Sequence, residues 1–165
     1  MKIYLDTNVF LDMIAPRDNR QDNVNALRLL KLAETGKFRF CINPVTVSTA
    51  YYVLRKDTGA AKRIQKTLEP LSIVPVAEDD VRFSVFFDYY TDREDAMHMS
   101  CAGNSGCELI LSRNTKHFAG SPVPCLTPEE FLSRLREIDK ASVPMSPRRP
   151  YTLSPDLRDD TGTEA

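Results

Sequence analysis

Short apolar runs, hydrophobic on both faces, alternate along this chain with longer stretches of helical period, and that alternation restricts the architecture more than any other feature. Residues 2–5, 38–42, 72–76, 108–111 and 123–126 read as strands. Between them, residues 22–32 repeat apolar side chains at Val24, Leu27 and Leu30 before Gly36 offers a stop. Residues 45–56 follow Asn43, a natural cap, and are read as a helix although β-branched and aromatic side chains are frequent there. Further helices are expected over 59–68, over 78–90 behind the acids Glu78, Asp79 and Asp80, and over 92–103. A last helix runs from Pro128 to about Ile138, with Thr127 as N-cap and Glu130 closing a capping box. Strands with no wet face, separated by helices, predict an α/β fold with a parallel sheet covered on both sides. In such a sheet, ligands bind at the carboxyl ends of the strands.

With 165 residues, 42% of them hydrophobic, one domain with a real core is expected. Its span is taken as residues 1–140, followed by a Pro-, Ser-, Arg- and Asp-rich tail over 141–165. The 22 basic and 23 acidic residues nearly cancel, so any nucleic-acid partner must be held locally rather than by a global basic field. Cys41, Cys101, Cys107 and Cys125 form no CxxC pair and read as structural thiols, and His98 and His117 complete no zinc spacing with them. Asp6 and Asp12 interrupt the apolar N-terminus, and no apolar span approaches the ~20 residues of a membrane helix. A cytoplasmic protein without membrane association is the expectation, and unpaired thiols suit that compartment.

Two acidic positions stand out as chemistry. Asp6 directly follows the first strand, with Thr7 and Asn8 beside it, and Asp95 closes the cluster Asp92-Arg93-Glu94-Asp95 at a helix start. A second polar turn, Ser112-Arg113-Asn114-Thr115-Lys116-His117, also follows an apolar strand, so the two turns can face one crevice. Carboxylates from separate loops suit a hard divalent ion, while Asn114 offers an amide oxygen and Arg113 or Lys116 can meet phosphate. Plainer roles compete: Asp6 as a cap for the next helix, Asp92, Glu94 and Asp95 as complements of a helix dipole, and the second turn as a solvated loop. Dinucleotide binding is excluded because no glycines follow the first strand, and a haloacid-dehalogenase-like aspartyl nucleophile lacks its second aspartate because Asn8 stands there.

The segments Ile3-Tyr4-Leu5-Asp6-Thr7-Asn8, Glu94-Asp95-Ala96, Ser112-Arg113-Asn114-Thr115-Lys116-His117-Phe118 and Thr127-Pro128-Glu129-Glu130-Phe131-Leu132, in this order, resemble the PIN-domain family, including VapC-type toxins. The resemblance implies a three-layer α/β/α sandwich with a central, mainly parallel sheet and an acidic site for Mg²⁺ or Mn²⁺. It also implies endoribonuclease cleavage of RNA by metal-assisted phosphodiester hydrolysis, an antitoxin partner and a homodimer. Carried over by position, Asp6 and Asp95 are metal ligands and catalytic residues, with Asp92 and Glu94 as further candidate ligands. Asn114 is the third catalytic position, and Thr7, Asn8, Arg113 and Lys116 are the substrate-binding candidates. Two positions depart from the pattern: Thr49 and His117 stand where acids are common. The alternative is a catalytically impaired module that binds RNA or a protein partner.

Overall fold

A computed structural model describes residues 1–15, 19–86 and 92–142. Five strands, β1 (Lys2–Leu5), β2 (Arg39–Ile42), β3 (Ser72–Ile73), β4 (Leu109–Leu111) and β5 (Cys125–Leu126), form one sheet in the order β3-β2-β1-β4-β5. Every neighbouring pair is parallel. β1 is central: Tyr4 pairs with Cys41 on one side and Ile110 on the other. The helices are α1 (Thr7–Ile14), α2 (Arg20–Glu34), α3 (Pro44–Val53), α4 (Ala60–Leu68), α5 (Glu78–Phe86), α6 (Arg93–Asn104) and α7 (Pro128–Ser142).

The two-residue period of the strands divides the core into two layers. Ile3, Leu5, Phe40, Ile42, Leu109 and Leu111 point to a face covered by α1, α2, α3, α4 and α7 through Phe10, Leu29, Ala50, Ile64 and Phe131. Tyr4, Cys41 and Ile110 point the other way, onto Met99, Cys101 and Ala102 of α6. Helices on both faces make the expected three-layer sandwich.

Differences from the sequence reading have local causes. α1 was not anticipated as an element, because Thr7, Val9, Phe10, Leu11, Asp12, Met13 and Ile14 are all buried and leave no polar face to set a helical period. β3 stops at Ile73, two residues before Pro75, which has no N–H for the ladder. In α3 the Asn43 side chain accepts from Thr46 N at 2.9 Å and Pro44 occupies the first turn, so the cap prevails over β propensity. Gly36, at φ 70°, ends α2 as expected. The capping box also forms: Thr127 N donates to Glu130 Oε2 at 2.8 Å, and Glu130 N to Thr127 Oγ1 at 3.1 Å. Residues 87–90 of the helix expected over 78–90 and residues 143–165 of the expected tail lie outside the described residues, while α7 reaches Ser142.

Cys41, Cys101 and Cys107 are buried, Cys125 is half-buried, and none is paired in a disulfide. Burial pushes the thiols of Cys101 and Cys125 up to about 12, which keeps them unreactive at neutral pH.

α5 is fastened to α6 through a buried aspartate. Asp80 Oδ1 accepts from Ser100 Oγ at 2.6 Å and Asn104 Nδ2 at 2.7 Å, and Oδ2 accepts from Ala77 N at 2.8 Å. Burial works to raise its pKa, but these hydrogen bonds, Ser100 first, outweigh it and hold the carboxyl below the ordinary value of 3.8. Asp80→Asn turns an amide donor toward one of these donors and is expected to cost about 1–3 kcal/mol in urea unfolding at pH 7. Because folding lowers this pKa, the stabilisation is full above the unfolded-state value and disappears as pH falls through the folded one. The gap between wild type and variant therefore narrows in acid; a gap that stays constant down to pH 2 would contradict an ionic role.

Candidate active site

The chain leaves β1 to build β2 and β3 on one side and returns to build β4 and β5 on the other, so the strand order reverses between β1 and β4. A crevice opens at such a switch point. Asp6 follows β1 and Ser112 follows β4, and the two meet: Asp6 N donates to Leu111 O at 3.0 Å, and Ser112 Oγ donates to Asp6 Oδ2 at 2.8 Å. Asp6 stands at the N-cap of α1, yet its side chain makes no capping bond. Its carboxylate is only 3% exposed and is committed to the crevice.

α6 supplies the opposite wall. Asp92, exposed, caps this helix by accepting from Glu94 N at 2.9 Å, an ordinary helix-start role. Asp95 Oδ2 lies 2.8 Å from His117 Nδ1, and His117 Nε2 lies 2.7 Å from the Asn114 amide. Burial raises the pKa of Asp95; the His117 hydrogen bond opposes this, and the charge of Asp6 raises it further. The carboxyl oxygens of Asp6 and Asp95 are hard donors, of the kind that suits Mg²⁺ or Mn²⁺. Among the described residues no three His, Cys, Asp or Glu side chains are grouped as a metal cage.

Glu94 also reaches this wall. Its Oε1 accepts from Thr7 Oγ1 at 2.7 Å and lies 3.5 Å from His98 Nε2. The His98 hydrogen bond, with smaller help from Thr7 and Thr49, holds its pKa below the ordinary value although burial opposes. The Thr7 hydroxyl is thus buried and turned to Glu94, His98 and Thr46 rather than open to a substrate.

The remaining candidates separate. Asn8, Arg113 and Asn114 line one polar cavity of about 590 Å³, together with Asn19, Asp22 and the start of α7. Arg113 is already paired, Nε at 3.0 Å from Asp22 Oδ2 and Nη1 at 3.4 Å from Asp12 Oδ2, so its positive charge is largely answered within the protein. Lys116 is exposed on the 3-10 turn Thr115–Phe118.

Sequence reasoning missed His98, Ser112 as a partner of Asp6, and the acids that hold Arg113. His98 had a readable signal, since Glu94 and His98 are four apart and share a helix face. Arg113 lies 91 residues after Asp22 and 101 after Asp12, and no local pattern reports contacts of that range.

A family model described as PIN domain matches residues 2–116, more than half of the chain. No curated protein matches it. Among solved structures, a toxin-antitoxin complex from Klebsiella pneumoniae is 25% identical with TM-score 0.58, covering 76% of this chain and 97% of that one. VapBC2 from Rickettsia felis, bound to a promoter DNA fragment, is 15% identical with TM-score 0.57, covering 77% and 98%. VapC20 from Mycobacterium tuberculosis, a sarcin-ricin loop cleaving toxin, is 14% identical with TM-score 0.50, covering 66% and 86%. The last two likenesses concern the fold alone. With strand order, switch-point crevice and family model in agreement, this chain belongs to the PIN domain family.

Proposed function

We propose that this protein is a divalent-metal-dependent endoribonuclease of the PIN type and the toxin of a toxin-antitoxin pair, acting in the cytoplasm as a homodimer restrained by an antitoxin protein. The observation that carries the reading is the placement of two acids at the switch point: Asp6, buried after β1 and bonded to Ser112, and Asp95 at the start of α6, bonded to His117 in the turn after β4. Asp6 and Asp95 would hold Mg²⁺ or Mn²⁺, with Glu94 the nearer auxiliary acid and Asp92 the more remote one, since Asp92 caps α6. When bound, the ion would supply positive charge to the scissile phosphate and an activated water. Asn114 orients the phosphate, Asn8 and Arg113 line the path of the RNA, and Lys116 adds charge at the rim. The catalytic domain would extend through the end of α7 at Ser142, two residues past the boundary expected from the sequence. Among the described residues no helix is long and apolar enough to cross a membrane.

The second reading is a module that binds RNA or a protein partner without cutting. It is favoured by His117 and Thr49 at positions where the resemblance expects acids, and by the engagement of Asp95 with His117. Incubation of the purified protein with single-stranded RNA in Mn²⁺, in Mg²⁺ and in chelator separates the two. Cleavage with either ion and none in chelator is the expected result; RNA retained on the protein but uncut at every ion concentration would establish the second reading.

A further inference from the structure

We propose that His98 is a positioning residue of this site: a one-way hydrogen-bond chain from Tyr4 through His98 and Thr7 holds the Glu94 carboxylate at the crevice, where it serves in place of the acid that Thr49 lacks. This inference rests on the metal-dependent reading above. Tyr4 and His98 are fully buried, and the Tyr4 hydroxyl lies 2.9 Å from His98 Nδ1. Glu94 Oε1 can only accept, so the single proton of Thr7 goes to it, Nε2 donates to Thr7, and Nδ1 is left to accept from the Tyr4 phenol. The ring proton is then on Nε2, which faces Thr7 Oγ1 at 3.0 Å. Having accepted that bond, Thr7 gives its own proton to Glu94 Oε1 at 2.7 Å; the competing Thr46 Oγ1 is at 3.4 Å.

Each donor in this chain has one direction, and the direction ends on a carboxylate. His98 Nε2 also lies 3.5 Å from Glu94 Oε1 and 3.8 Å from Asp6 Oδ1, so the same ring packs between two acids of the site. Thr49 is among the groups that act on Glu94, behind His98 and Thr7, so the Glu94 carboxylate stands near the α3 position where the resemblance expects an acid. The Glu94 side chain is still 35% exposed.

Calorimetric titration of Mn²⁺ alone into the full-length wild type and the variants H98L, H98Q, Y4F, E94Q and E94Q/H98L tests this. Groups that orient metal ligands are worth about 10–100-fold in affinity, and H98L is expected to lose that much. H98Q, whose amide presents one acceptor and one donor, should regain most of it. Y4F keeps the shape of the core and removes only the donor to Nδ1, so it should weaken Mn²⁺ binding in the same direction even if H98L folds poorly. If His98 acts through Glu94, the double variant binds no more weakly than E94Q. Wild-type affinity in H98L and Y4F, no rescue in H98Q, or losses that multiply in the double variant would each overturn the proposal. A wild type that takes up no Mn²⁺ removes the metal-dependent reading and this inference with it, whereas wild-type binding that H98L and Y4F leave intact removes the inference alone.

Discussion

Asp6→Asn is expected to reduce metal-dependent RNA cleavage by about a thousandfold, the scale of losing several kcal/mol of charge stabilisation in the transition state. The fold should survive the change. An asparagine oxygen can still accept from Ser112 Oγ, the bond now made at 2.8 Å to Asp6 Oδ2. Removing the Asp6 charge also relieves Asp95, whose pKa that charge helps to raise. Thermal stability without metal is therefore expected to be equal to wild type or higher, while the stabilisation that added Mn²⁺ gives the wild type is lost. Asp95→Asn should lose cleavage to a similar extent, because the two carboxylates share one task. Activity and stability moving in opposite directions is the mark of a charged site held together for function. If Asp6→Asn cleaves RNA at the wild-type rate, Asp6 holds no essential ion.

The parts of the fold that were legible are those where periodicity and punctuation agree. β1 and the extent of α2 were readable, although α2 buries Asn25, Ala26, Leu29 and Ala33 rather than the Val24, Leu27 and Leu30 stripe, and the Thr127 to Glu130 capping box marks the first turn of α7. α1 was hidden because the pattern that marks a helix needs a polar face, and α1 has almost none: it sits against the sheet, beneath α2, α3 and α4. The same burial encloses Asp6 at the N-cap of the helix and Asp12 in its second turn.

The site was legible in its acids and illegible in their partners. Asp6 could be singled out because it follows the first strand, and Asp95 because it belongs to an acidic cluster at a helix start. What each carboxylate touches depends on the sheet order. Ser112 meets Asp6 only because β4 lies beside β1, and Tyr4 meets His98 only because α6 covers that face of the sheet. Residue types signal available chemistry, but topology decides which groups neutralise one another, and here it gives Arg113 to Asp12 and Asp22 before any substrate arrives.

Phe40→Ala is expected to destabilise the protein by about 3–5 kcal/mol, a large share of the ~5–15 kcal/mol that keeps a domain folded. Phe40 is fully buried in β2 and belongs to an aromatic group that joins the sheet to α7. Its ring lies 6.4 Å from Phe131 at an interplanar angle of 88°, and Phe38 lies 5.5 Å from Phe131 at 78°. Both are edge-to-face arrangements, favourable beyond the area they bury. Truncation removes these contacts and leaves a void that the short strand β2, paired on both sides, cannot close by moving. The urea midpoint should therefore fall with little change in slope. Phe131→Ala empties part of the same space, so the two losses should not add, and the double variant should be more stable than their sum implies. The consequence extends to the site: Phe131 stands one turn after Thr127, Pro128 and Glu129, which line the cavity beside Asn8 and Asn114. Under conditions where the variant remains folded, a loosened α7 should weaken RNA binding more than Mn²⁺ binding, because the acids on β1 and α6 keep their supports. A Phe40→Ala cost below about 1 kcal/mol would mean that α7 is held to the sheet by contacts other than this aromatic group.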